Sequence, residues 1–139
     1  MTEDLSASTL AHLKALEIVP GRPLIAVDVD EVLVKFVSHL SDWMRGIGFE
    51  MRLVTYQLEG SMFPAGSEEP LPFAECIELI NRFFSEETEN QQAIPGGREA
   101  LLRLEVDAQI VILTNVPGHA TEMRRRNLDA LGLHYPLVV

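Results

Sequence analysis

Two pairs of polar residues follow apolar runs in this sequence, and their types and positions could do chemistry. Asp28 and Asp30 stand at the end of the first run, and Thr114 and Asn115 end a later one. Residues two apart on a strand project to the same side, so both carboxylates can converge on one site. Two close acids suit a hard cation such as Mg²⁺, which takes oxygen ligands and commonly shares them with a substrate phosphate.

Packing alone explains such acids poorly. An ionised carboxylate at the end of a buried strand costs several kcal/mol unless it is paired, hydrogen-bonded or bound to metal. Ligands of open α/β sheets bind beyond the carboxyl ends of the strands, where these residues are expected. A second interpretation stays open at this point: the acids cap the following helix or form an ion pair with an arginine.

The elements that must position these residues alternate between strands and helices. Apolar runs predict strands at about 24–30, 107–115 and 136–139, and apolar periodicity predicts helices at about 6–18, 98–104 and 119–131. Unbroken apolar runs are typical of parallel strands that are buried on both faces. The fold class expected is therefore α/β, a Rossmann-like parallel sheet flanked by helices.

The stretch between the first two strands is too long for a simple crossover. It contains helical patterns at about 36–44 and 72–87, an undecided piece at 49–58, and a loop rich in Gly, Pro, Ser and Glu at 60–70. We interpret residues 34–93 as a small helical cap inserted into a core formed by residues 1–33 and 94–139. The aromatic residues expected to form the core of the cap are Trp43, Tyr56, Phe63 and Phe73.

Composition limits the partners. The 139 residues include 11 Lys plus Arg against 21 Asp plus Glu, a formal net charge of −10. Such a chain repels nucleic acid and anionic lipid, although a divalent cation could bridge it to a phosphorylated metabolite. The single cysteine, Cys76, and the absence of a signal-like or membrane-spanning apolar run predict a cytoplasmic protein. The arginines at 124–126 are expected on a solvated helix face.

Taken in order, these residues resemble the haloacid dehalogenase-like hydrolase superfamily. Its first motif, Asp-x-Asp-x-(Thr/Val) after an apolar strand, is matched by residues 28–32, and its second, a Ser or Thr ending a strand, by Thr114. The Ile-Pro-Gly-Gly turn at 94–97 looks like the family's approach to that second motif. The resemblance covers about 24–36 and 94–139, and the insertion carries no specific match.

The resemblance implies a Mg²⁺-dependent phosphatase that acts on a small phosphorylated metabolite through an aspartyl-phosphate. Asp28 would attack the phosphorus, and Asp30 would protonate the leaving oxygen and later accept a proton from water. The Asp28 carboxylate and the Asp30 backbone carbonyl would hold Mg²⁺. Thr114 and the amide of Asn115 would bind a phosphoryl oxygen. In this family a second motif acid favours phosphate substrates over dehalogenation.

The sequence also departs from the family pattern. The third motif, a Lys or Arg, and the fourth, an acidic pair, should follow the third strand, yet no lysine follows Lys35 and no acid follows Asp129. We therefore expect a core that is incomplete at its C-terminus, with an open edge on the first strand that favours a homo-oligomer or a covering partner. The alternative function is a non-catalytic interaction domain or an inactive fragment. A receiver-like phospho-acceptor domain is disfavoured by the long insertion.

Overall fold

The computed structural model describes residues 4–139 of the chain. Its five α-helices are α1 (Ala7–Ala15), α2 (Val37–Gly46), α3 (Phe73–Glu87), α4 (Gly97–Leu104) and α5 (Thr121–Ala130), with short 3-10 turns at Thr88–Asn90 and Gly118–Ala120. Its strands are β1 (Leu24–Val27), β2 (Phe49–Met51), β3 (Met62–Pro64), β4 (Gln109–Leu113) and β5 (Leu137–Val138). The expected fold class is confirmed at the level of an α/β protein.

A three-stranded parallel sheet in the order β1-β4-β5 forms the centre of the molecule. Ile25 pairs with Ile110 in its register, and Ile112 pairs with Leu137. One face of the sheet packs against apolar residues of the helices, among them Leu101 of α4 and Leu128 of α5. Because all three strands are parallel, their carboxyl ends lie at one edge of the sheet.

The other face of the sheet is less covered than the apolar runs predicted. Exposed and half-buried residues alternate along β1, and Leu24 is 46% exposed. The expectation that β1 is buried on both faces is therefore wrong. The physical reason is the position of β1 at the edge of the sheet. Helix α1 contacts β5 at the opposite edge and buries none of its own residues.

The two ends of the 34–93 segment meet in a short backbone neck. Val34 bridges Ala93, and the amide of Lys35 donates to the carbonyl of Gln92 at 2.8 Å. Between these ends lie α2, α3 and an antiparallel hairpin of β2 and β3. A purely helical cap is thus a wrong description of the segment. Each hairpin strand has only three residues, too few for an alternation pattern to stand out in the sequence.

The apolar cluster of this segment is built mainly from helix positions three or four apart. Phe83 of α3 is fully buried at its centre, where its ring meets those of Phe36 and Trp43 edge-on. Tyr56 and Phe73, which we expected in this cluster, are exposed. Val116 and Ala120 of the segment after β4 join the same cluster, so the insertion packs directly on the rest of the chain. The division into a core and a cap stays a prediction.

Across residues 4–139, none of the helices combines the length and the apolar character that a bilayer crossing requires.

Candidate functional site

Asp28 follows β1 and stands where the chain turns away from the sheet. The carbonyl of Val29 accepts amide hydrogens from Val32, Leu33 and Val34, which closes a tight turn and ends the strand. The Asp28 side chain is exposed, and its Oδ1 accepts a hydrogen bond from the amide of Val29 at 2.7 Å. No ion pair to Asp28 occurs within residues 4–139, so one carboxylate oxygen is left for a ligand.

Glu31 orders the exit from this turn. It is the non-glycine residue with a positive φ, +60°, in the described part of the chain. Its Oε1 accepts hydrogen bonds from the amides of Phe36 at 2.8 Å and Val37 at 2.5 Å, so it satisfies donors at the start of α2. The helix-capping role that we left open for the aspartate pair is thus played by their neighbour Glu31.

Thr114 and Asn115 follow β4 at the same edge of the sheet. The Thr114 amide donates to the carbonyl of Val138 at 3.0 Å, which fixes the backbone beside β5. The Thr114 Oγ1 atom is buried, and no group of residues 4–139 offers it a hydrogen bond. A buried hydroxyl without a partner costs about 1–3 kcal/mol. The hydrogen-bonding capacity of Thr114 Oγ1 is thus unused within the described residues.

Asp28, Thr114 and Asn115 line one cavity of about 440 Å³. The other lining residues are Thr9, Ala26, Val27, Leu113, Val138 and Val139. An aspartate, a threonine and an asparagine thus line a shared space together with apolar residues. The structure brings together three of the four residues that the sequence predicted for the site.

The fourth, Asp30, lies beside this cavity but does not line it. Its carboxylate accepts a hydrogen bond from Nη2 of Arg124 at 3.2 Å, and its side chain is 26% exposed. Burial raises the pKa of Asp30, the Arg124 charge opposes that rise, and the negative charge of nearby Asp28 adds to it. The open interpretation that an acid of the pair would meet an arginine thus holds for Asp30.

Arg124 is the main site residue that the sequence did not reveal. Its side chain has no solvent exposure, so the expectation of a solvated arginine face is wrong for this position. Ala120 and Leu128, four residues to either side, are also fully buried, and this spacing was the signal that could have placed Arg124 inside. Each arginine of the run meets an acid, and Arg126, which pairs with Glu89, is the one with more than half of its side chain exposed.

Two oxygen atoms just after β1 are available to hold the Mg²⁺ that the resemblance implies. The free oxygen of the Asp28 carboxylate and the backbone carbonyl of Asp30 have no protein partner within residues 4–139, whereas the Asp30 carboxylate is held by Arg124. One carboxylate and one carbonyl fit an ion that keeps several waters. Within the described chain, no three His, Cys, Asp or Glu side chains gather into a metal cluster.

Comparison with models of known protein families found no match, and comparison with curated proteins found none either.

Proposed function

We propose that this chain is a Mg²⁺-dependent phosphatase that hydrolyses a small phosphate monoester through an aspartyl-phosphate on Asp28, within a Rossmann-like core. The observation that carries the proposal is that Thr114, whose Oγ1 atom is buried without a partner, lines the same cavity as the exposed Asp28. A phosphoryl group placed between them would give the hydroxyl its missing acceptor and the carboxylate an electrophile.

In the first step the free carboxylate oxygen of Asp28 forms a bond to phosphorus, and the bond from phosphorus to the ester oxygen breaks. The departing oxygen takes a proton from Asp30. Thr114 and the amide of Asn115 donate hydrogen bonds to phosphoryl oxygens as charge builds there. Bound Mg²⁺ would supply the positive charge that lets a carboxylate approach a phosphate.

In the second step a water oxygen attacks the phosphorus, and Asp30 accepts its proton. The phosphorus–Asp28 bond breaks, which restores the carboxylate and releases inorganic phosphate. The sum is one monoester and one water giving one alcohol and one phosphate. Burial of Asp30 raises its pKa, which supports its use as an acid in the first step.

The partner in this proposal is a small phosphorylated metabolite. The formal charge of −10 repels a phosphate ester, so a bound divalent cation is needed to attract it. We also propose a cytoplasmic location, which the single free cysteine, Cys76, supports.

A non-catalytic interaction domain is the second candidate. The observation that favours it is the ion pair between Asp30 and Arg124, which gives Asp30 a structural partner without any reaction. A domain of this kind would not be stabilised by Mg²⁺ and phosphate added together.

The test is hydrolysis of a broad panel of phosphate monoesters with Mg²⁺ by the wild-type chain and by Asp28→Asn. We expect turnover of at least one ester and a loss of roughly a thousandfold or more in Asp28→Asn, since the nucleophile is removed. Asp107→Asn, an exposed aspartate before β4, serves as the matched control and should keep full activity. Failure of the wild type on the whole panel, or an unchanged rate in Asp28→Asn, would refute the proposal.

A further inference from the structure

Arg124 is a buried charge that packing does not require. The residues four positions to either side, Ala120 just before α5 and Leu128 within it, are apolar and fully buried, and an apolar side chain would fill this place at lower cost. Within the described chain, Asp30 is the acid that pairs with this buried guanidinium. The retained arginine therefore calls for a role that an apolar residue could not fill.

The guanidinium is oriented by three acceptors. Nη1 donates to Oδ1 of Asn127 at 3.1 Å, while Nη2 donates to Oε1 of Gln91 at 2.8 Å and to Oδ1 of Asp30 at 3.2 Å. The buried Nε has no partner within the described chain, so the terminal nitrogens alone set the orientation. A planar guanidinium group held by three acceptors has little freedom to rotate.

The acceptors are themselves held in place. The Gln91 side-chain amide donates to the carbonyl of Lys35 at 3.1 Å, and Asn127 donates to the carbonyl of Gln91 at 2.9 Å. Gln91 and Lys35 belong to the two sides of the neck at residues 34–93. A continuous buried network thus connects this neck through Arg124 to the Asp30 carboxylate.

We propose that Arg124 is a positioning residue, which fixes the Asp30 carboxylate beside Asp28 so that it can pass a proton to the leaving oxygen. The inference deepens the proposed function and depends on it for its catalytic consequence. Arg124 has no exposed surface and cannot touch a substrate in the cavity. Its effect on catalysis must therefore pass through Asp30. Gln91 helps to fix the orientation of the Arg124 guanidinium.

The first arm of the test asks whether the pair exists in solution, independently of turnover. The Nε–H resonance of Arg124 in ¹⁵N-labelled full-length chain should move when Asp30 is changed to Asn. The control is Asp129→Asn, which should move the resonance of its own partner Arg125 and leave that of Arg124 in place. If the Arg124 resonance does not move in Asp30→Asn, the inference is overturned, even if the enzyme is active.

The second arm separates positioning from a merely structural role by the leaving group. An alkyl phosphate needs a proton on its departing oxygen, whereas p-nitrophenyl phosphate leaves readily without one. We expect Arg124→Lys to lower kcat/KM with the alkyl ester roughly 10- to 100-fold and to leave kcat/KM with p-nitrophenyl phosphate nearly unchanged, because kcat/KM reports the steps up to departure of the alcohol and not the hydrolysis of the shared intermediate. Introduced into Asp30→Asn, the same change should have no further effect.

Two further variants keep this arm decisive. Arg125→Lys is the matched control, because Arg125 binds the carbonyls of Leu133 and Tyr135 rather than the site, and should not alter the ratio of the two rates. If Arg124→Lys fails to fold, Gln91→Met serves instead. It removes the oxygen that orients the Arg124 guanidinium and should lower kcat/KM selectively with the alkyl ester.

The outcomes distinguish this inference from the proposed function. Equal losses of kcat/KM with both esters in a folded Arg124→Lys or Gln91→Met variant would make the network structural and overturn the inference. A wild-type chain that hydrolyses neither ester, but whose Arg124 resonance responds to Asp30→Asn, would refute the phosphatase and still support Arg124 as the group that fixes Asp30.

Discussion

At the scale of single residues, Thr114 is the residue on which the proposed phosphoryl site depends most. Its Oγ1 atom is buried without a partner, whereas the fully buried Thr88 donates its hydroxyl to the carbonyl of Phe84 at 2.6 Å. The fold therefore satisfies the hydroxyl of Thr88 and leaves the hydroxyl of the half-buried Thr114 unsatisfied. The proposed function would account for this difference, because a phosphoryl oxygen would complete the Thr114 hydrogen bond.

Replacing Thr114 with valine should stabilise the free chain and weaken phosphate binding. Removing an unsatisfied hydroxyl should raise the free energy of unfolding by about 1 kcal/mol, while the lost bond to a charged ligand should lower phosphate affinity about 10- to 100-fold. Urea unfolding and calorimetric titration of phosphate with Mg²⁺ measure the two effects.

Thr88→Val provides the matched control for this prediction. It has the same shape change at a satisfied hydroxyl, so it should lower the free energy of unfolding by about 1–2 kcal/mol and leave phosphate affinity unchanged. If Thr114→Val destabilised the chain as much as Thr88→Val does, Thr114 would have a partner in the free protein and the reasoning would be wrong.

The sequence located the residues at strand ends but not those on helix faces. Asp28, Thr114 and Asn115 could be predicted because an apolar run fixes where a strand ends, and parallel strands end at one edge. Arg124 could not be found in the same way, because three consecutive arginines indicate a charged surface unless the burial of the flanking turns is known. Gln91 carries no motif, and its role depends on the chain folding back at residues 34–93.

At the scale of elements, the insertion is held together by the face of α3 that carries Phe83. This ring is fully buried and meets the rings of Phe36, Phe84, Trp43 and His39. The sequence predicted the two helices of the segment to within a few residues, since their periodicity is strong. It missed the hairpin of β2 and β3, because the pairing of two three-residue strands is decided by tertiary contacts.

Phe83→Ala should destabilise the chain by about 3–5 kcal/mol, because it leaves a cavity at the centre of this cluster. Phe73→Ala is the control on the same helix, since Phe73 is 55% exposed and its loss should change stability by no more than about 0.5 kcal/mol. Thermal or urea unfolding of both variants gives the comparison. Equal effects of the two changes would mean that the aromatic cluster does not hold the insertion in place.

At the scale of the whole molecule, the parallel sheet explains why the candidate residues meet. The strand order β1-β4-β5 places β1 and β4 side by side, so Asp28 and Thr114 follow neighbouring strands. This arrangement could be predicted from the alternation of apolar runs and helices. The exposure of one side of β1 could not be predicted. An apolar run shows that burial is favourable, but it does not show which element will cover the strand. Self-association through this edge stays a prediction.

The net charge of the whole chain affects how it can bind a phosphate. With a formal charge of −10, the protein should bind an anionic phosphate only when a divalent cation is present at the site. The most direct test of the central claim is therefore a ligand that mimics a phosphoryl group on a carboxylate, titrated with and without Mg²⁺.

The measurement is a titration of trifluoroberyllate into ¹⁵N-labelled chain, followed through backbone amide shifts. With Mg²⁺, the amides of Val29, Thr114 and Asn115 should shift together in the wild type and in Asp107→Asn. They should not shift in Asp28→Asn or when Mg²⁺ is chelated. Equal shifts in Asp28→Asn, or none in the wild type with Mg²⁺, would contradict a phosphoryl site built on Asp28 and Thr114.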